Sequence, residues 1–243
     1  MFRILLFYLC IAPVTVWYSL KTIRFKRKGV PAEKLDPVPI KWATTLVKLA
    51  GIRIEMDLGD LDPEGHYVFM GNHQSNFDIP IVFSVFQKNR IRFVAKKSLF
   101  DIPVFGPALK EADNIPIDRD NRRSAMKSIS HAVEIANSGV SPLIFPEGTR
   151  NRDPEELMEF KSGGMIIALK CGLPVVPFVM EGTHDLLPPG KLLFNRKRTI
   201  RIKVLPIIDP SRYTLKERDV FKNDLRQMMT EAYQDLRSEK KNG

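Results

Sequence analysis

Along the chain the apolar positions change period three times. Residues 2–20 are apolar apart from Arg3 and a few small polar groups, and as a helix they extend about 28 Å, near the thickness of a bilayer core. The apolar character runs all the way round such a helix rather than along one stripe. Pro13 in mid-run predicts a kink. Trp17 and Tyr18 stand beside a basic cluster of Lys21, Arg24, Lys26, Arg27 and Lys28, the kind of flank that stays on the cytoplasmic side of a membrane. A cleaved signal peptide needs a small-residue cleavage site where this segment has the basic run. A buried core helix is a second reading, and a membrane anchor, spanning or half-buried, is the favoured one. Pro31, Pro37 and Pro39 then break the chain into a linker, and residues 40–50 read as a short helix ended by Gly51. At about 16 Å that helix is too short to span a bilayer. It either pairs with the first as a hairpin dipping into one leaflet or packs against the following domain.

From residue 52 the pattern alternates between strand and helix. Residues 52–58, 67–70 and 92–95 read as strands, and 79–86 as a helix. Residues 142–145 and 175–180 are short apolar runs of buried-strand type. Residues 121–138 form an amphipathic helix with Ala125, Ile129, Ala132, Val133 and Ala136 on one face and Gly139 as its stop. Residues 163–170 predict a helix, and 199–208 alternate as a half-exposed strand. Thr214-Leu215-Lys216-Glu217 is a capping box opening a last helix with Leu215, Leu225, Met228, Met229, Ala232 and Leu236 inward. The expectation is an α/β fold with a mostly parallel or mixed central sheet flanked by helices. An N-terminal membrane-associated helical hairpin and linker occupy residues 1–50, and the α/β domain residues 51–243.

Composition adds little until charge is counted. A hydrophobic fraction of 44% over 243 residues is enough for a sizeable core. Lys and Arg number 38 against 28 acidic residues, a formal charge of +10, which suits a polyanionic partner: nucleic acid, an anionic membrane face or a phosphorylated small molecule. The basic residues bunch beside the apolar N-terminal segment and carry no known binding motif, so no nucleic-acid partner is expected. Cys10 and Cys171 make neither a disulfide framework nor a metal-ligand spacing. No metal and no cofactor are expected.

Two blocks carry candidate chemistry. Asn72-His73-Gln74-Ser75-Asn76-Phe77-Asp78 puts a neutral base near a carboxylate that a turn can fold back onto an imidazole nitrogen, fixing the tautomer and stabilising the imidazolium. Ser75 suggests a Ser-His-Asp arrangement, but the nucleophile elbow is absent and a turn serine is the simpler reading. Phe145-Pro146-Glu147-Gly148-Thr149-Arg150 ends a buried strand with a glycine turn, a hydroxyl and a guanidinium fork suited to phosphate. Glu147 would repel a phosphate, so its expected task is to hold Arg150 or a backbone amide. From these six residues alone an ordinary surface turn is the simpler reading. Lys96, Lys97 and Arg119 are further cations.

The blocks, in order, resemble those of the glycerophospholipid acyltransferases. Residues 72–78 match the Asn-His-x4-Asp block, Ile117-Asp118-Arg119 the second, residues 145–150 the Phe-Pro-Glu-Gly-Thr block, and Val175-Val176-Pro177-Phe178 the apolar fourth. The chain, including its N-terminal segment, is similar to the bacterial type of 1-acylglycerol-3-phosphate O-acyltransferases. The resemblance implies His73 as general base and Asp78 as its orienting group. It implies an acceptor phosphate site of Lys97, Arg119, Glu147, Gly148, Thr149 and Arg150, with Pro177 and its neighbours lining the apolar side. Ser98 stands where an acidic residue is common. It implies lysophosphatidic acid as acceptor, acyl-acyl-carrier protein or acyl-coenzyme A as donor, and contact with membrane phospholipids at the inner, cytoplasmic leaflet of the cell membrane. Glycerol 3-phosphate or another lysophospholipid is the rival acceptor.

Overall fold

The computed structural model describes residues 2–118, 122–191, 194–195 and 197–242. Seven strands, β1 (Arg53–Asp57), β2 (Val68–Gly71), β3 (Ile91–Lys96), β4 (Ile115–Ile117), β5 (Ser141–Ile144), β6 (Val175–Glu181) and β7 (Thr199–Val204), form one sheet in the order β1-β7-β6-β2-β5-β3-β4. Every pairing is parallel except β6 with β7, so the sheet is mixed. Strands β2, β5 and β6 are buried on both faces, as their uninterrupted apolar runs require. β7 alternates.

Helices cover both faces. On one side Phe69, Phe93, Leu143 and Phe178 of the sheet pack with α3 (Pro37–Ala50) and α4 (Asp78–Val85), behind which lie α1 (Phe2–Arg27), α2 (Ala32–Leu35) and α5 (Phe105–Glu111). On the other, Val68, Met70, Ile144 and Val179 pack with α6 (Arg122–Asn137), α7 (Ser162–Cys171) and α9 (Arg218–Asn242). The short α8 (Thr183–Leu186) follows β6.

Three expectations change. The prolines do not make a linker: α3 begins at Pro37, because the first turn of a helix needs no N–H donor and tolerates the fixed φ of proline. β4 escapes the sequence pattern because it has only three residues, with Pro116 at its centre; it survives as an edge strand, where a missing donor costs little. Leu215 is exposed, because the Thr214–Glu217 capping box closes a 3-10 turn at Leu215–Glu217 and α9 starts only at Arg218.

At the N-terminus α1 continues through Pro13 and packs beside α3, where Trp42 Nε1 donates to Thr15 Oγ1 at 3.1 Å. Val38, Ala43, Leu46, Val47 and Ala50 of α3 are buried, so this helix is seated on the α/β core. Among the described residues no helix is long and apolar enough to cross a membrane, which gives the spanning form of the N-terminal anchor no support.

Candidate active site

The sheet register sets the height of the candidate residues. Phe69 of β2 pairs with Leu143 of β5, which pairs with Phe93 of β3. Four positions beyond these three lie His73, Glu147 and Lys97. The parallel strands thus bring all three to one level beyond their carboxyl ends, where α/β sheets place their sites.

The turn after β2 is fixed from both sides. Gly71 passes so close to Phe178 that a Cβ there would stand 2.3 Å from the ring. Asn72 is fully buried and exchanges two hydrogen bonds with Met180 of β6, donating to its carbonyl at 2.9 Å and accepting from its N–H at 2.7 Å. Its amide thereby continues the ladder one residue past the strand. The chain then curls around Asp78, the first residue of α4. Asp78 Oδ2 accepts from the backbone N–H groups of Gln74 at 2.7 Å and Ser75 at 2.8 Å, and lies 2.6 Å from His73 Nδ1. With Nδ1 engaged as donor, Nε2 is the acceptor nitrogen of the neutral ring.

His73 is held through its main chain as well. Its N–H donates to Glu147 Oε1 at 2.7 Å, its carbonyl accepts from Asn151 N–H at 2.7 Å, and its ring stacks on Phe145 with centroids 4.1 Å apart. Glu147 Oε2 accepts from Met158 N–H at 3.1 Å. Burial pushes the Glu147 carboxyl up to about 7, against the opposing pull of these two backbone donors. Of the residues expected around a phosphate, Glu147 therefore holds backbone amides, and not Arg150.

Arg150 reaches back instead to the first block, where its Nη1 donates to Asn76 Oδ1 at 2.6 Å. Gly148 between them has φ +73°, a conformation that L side chains rarely adopt. Thr149 is exposed. Lys97 is mostly exposed and stands 3.9 Å from Asp118 Oδ2, beside a cavity of about 610 Å³ that it lines with Phe100, Lys110, Asn114 and His131. Arg119 lies outside the described residues. Pro177 is buried in the sheet, its carbonyl accepting from Leu205 N–H at 2.9 Å.

The competing candidates have other partners. Ser75 Oγ donates to the Leu187 carbonyl at 3.0 Å and accepts from Phe77 N–H at 3.2 Å, the bonding of a turn serine. His66 Nε2 lies 2.9 Å from the Val140 carbonyl. His131 stands 3.6 Å from Glu134 and His184 3.9 Å from Asp185, both looser than the contact at His73. Sequence reasoning did not single out Asn76, Asn151 or the stacking by Phe145. Phe145 was within the recognised block; Asn151 carried no signal, since its contact is through the main chain.

Comparison with known proteins gives a consistent picture. The acyltransferase family model matches residues 53–181. A 1-acyl-sn-glycerol-3-phosphate acyltransferase of Haemophilus influenzae is 32% identical over 217 residues, covering 87% of this chain and 85% of that protein. One from Escherichia coli K12 is 33% identical over 172 residues, 69% of this chain and 67% of its own. The crystal structure of the 1-acyl-sn-glycerophosphate acyltransferase of Thermotoga maritima shares the fold, with a TM-score of 0.81 at 23% identity, over 97% of this chain and 95% of that one.

Proposed function

The chain belongs to the acyltransferase family, and from that premise we propose that it moves a fatty acyl group from a thioester donor to the free sn-2 hydroxyl of 1-acylglycerol 3-phosphate, giving phosphatidic acid. The observation that carries the reading is the union of the two blocks in one turn. His73 bonds to Asp78 at 2.6 Å, while Asn76, three residues on, receives Arg150 at 2.6 Å. A phosphate on the Arg150 fork thus sits on the same turn as the base.

In this mechanism His73 Nε2 takes the proton of the acceptor hydroxyl, and Asp78 holds the ring and balances the imidazolium charge. The resulting oxygen nucleophile attacks the thioester carbonyl, the tetrahedral adduct collapses, and the thiolate of acyl-carrier protein or coenzyme A leaves. A thiol with pKa near ~8.5 needs little acid assistance. Arg150 holds the acceptor phosphate with the Gly148–Thr149 turn, and Lys97, at the level of His73 and Glu147 along the sheet, adds charge to that site.

The acceptor's tail leaves a bilayer only at about 0.8 kcal/mol per methylene, which favours an enzyme immersed in one leaflet. The outward face of α1 supports that placement: Leu9, Val16, Trp17 and Leu20 are exposed at spacings that share one helical face, and the basic cluster follows directly. The enzyme on this reading lies on the inner, cytoplasmic leaflet of the cell membrane.

His73→Ala tests the assignment. Acyl transfer to lysophosphatidate, assayed with purified protein and either donor, should fall about 10²–10⁴-fold, with the fold retained. A variant keeping a tenth or more of the turnover overturns it. His184→Ala is the control that should stay active.

A further inference from the structure

The main chain of His73 is bonded on both sides to the segment after β5, and that segment is in turn gripped by α9. Arg226 donates to the carbonyls of Met158 at 3.2 Å and Leu157 at 3.0 Å, Gln234 to that of Glu155 at 2.8 Å, and Arg237 to that of Pro154. These bonds hold residues 154–158.

Tyr233 differs from its neighbours on α9. Its hydroxyl donates to the Pro154 carbonyl at 2.8 Å and accepts from Gln74 Nε2 at 2.7 Å. Gln74 follows His73 directly and gives its own N–H to Asp78. Both side chains are 1% exposed, so water does not replace the bond if it is lost. The hydroxyl therefore joins the catalytic turn to the segment that supplies Met158 N–H to Glu147 and Asn151 N–H to the His73 carbonyl. Without it, the ring of bonds Gln74–Tyr233–Pro154 is open, and the His73 turn keeps its ties to Glu147, Asn151 and Arg150 and its stack on Phe145, but none to α9.

We propose that Tyr233 is a positioning residue for acyl transfer: through Gln74 it fixes the height of His73 against the Arg150 turn. It touches no substrate and carries no charge in the reaction. Its effect falls on the alignment of the bound acceptor hydroxyl with Nε2, and so on kcat, while the phosphate and tail contacts that set acceptor binding are untouched. A displacement of about 1 Å in such an arrangement is enough to cost one to two decades in rate.

The inference rests on His73 as base, and its test separates the two claims. Tyr233→Phe keeps the ring and removes only the hydroxyl. Its kcat should fall about tenfold or more, with KM for lysophosphatidate and for acyl donor within about twofold. Gln74→Met, which cuts the same bond from the other side, should lose a similar amount, and the double variant should be no worse than either single one. Gln234→Met removes an α9 contact, to the Glu155 carbonyl, that involves neither Tyr233 nor Gln74; it should leave kcat within about twofold. The proposal is overturned if Tyr233→Phe keeps its kcat, if the two losses multiply, or if Gln234→Met loses as much kcat as Tyr233→Phe. Should Tyr233→Phe fail to fold, Gln74→Met decides alone, with full kcat overturning the proposal. An inactive His73→Ala beside a fully active Tyr233→Phe sinks only this inference. An active His73→Ala sinks the base assignment itself.

Discussion

Replacing Glu147 by Gln should change how the stability of the protein varies with pH. Glu147 is fully buried, and burial raises its carboxyl from 4.5 to about 7. A folded-state value above the unfolded one means the native protein holds a proton that the unfolded chain has already released. The stability this group contributes is therefore full below about pH 4.5 and is lost as pH rises through about 7. The gap between the two values corresponds to roughly 3 kcal/mol. Glutamine does not titrate, so the stability of the unaltered protein minus that of Glu147→Gln should fall by about 3 kcal/mol between pH 4.5 and 8. The constant offset comes from hydrogen bonding. The carboxylate serves the N–H groups of His73 and Met158 with separate oxygens, whereas the amide serves one and turns a donor on the other, at a cost of about 1–3 kcal/mol. Urea unfolding of both proteins in one detergent, across that pH range, measures the difference directly. A difference flat to within about 0.5 kcal/mol, or one growing toward alkaline pH, refutes the reasoning.

Arg150→Ala should lower kcat/KM for lysophosphatidate by about one to two decades, the loss of a charge-assisted contact worth roughly 1.5–3 kcal/mol. Monoacylglycerol, lacking the phosphate, should be affected far less, and equal losses on both acceptors would make Arg150 structural. Ser75→Ala should cost about 1 kcal/mol of stability from two lost turn bonds and leave a protein that still transfers acyl groups; an inactive, well-folded variant would reinstate Ser75 as nucleophile. High salt should leave the full-length protein on membranes. The five cations of residues 21–28 contribute about 1 kcal/mol each and are screened, but each apolar side chain of α1 buried in lipid adds roughly 1.5–3 kcal/mol that salt does not touch. Release by salt alone would refute the apolar anchor.

The parts legible in the sequence were those whose signal is local. The buried strands β2, β5 and β6 stand out as apolar runs, and the His73 and Phe145–Arg150 blocks lie at their ends, as strand-end loops do. β4 was not legible, because three residues with a central proline carry no period. Nor was the bond between Asn76 and Arg150, which joins residues 74 positions apart, or the reach of Tyr233 to Gln74 across 159 positions. Such contacts depend on strand order, and strand order is set by packing that no short window contains. Pro37 and Pro39 at the start of α3 misled for the opposite reason: a local breaker signal was strong, but its position in the first helical turn removed its effect.

The insertion of β5 between β2 and β3 also has a consequence for synthesis. His73 leaves the ribosome well before Phe145–Arg150, and α9 follows later still. At roughly 5–20 residues per second, His73 spends several seconds without Phe145, Glu147 and Arg150, although Asp78 follows it almost at once. β2 meanwhile exposes an unpaired edge until β5 and β6 arrive to close it on either side. During that interval the nascent chain exposes an apolar strand, while the residues of the candidate site are still apart. The candidate site is therefore assembled only after β5 and β6 have joined the sheet, when most of the chain has been made.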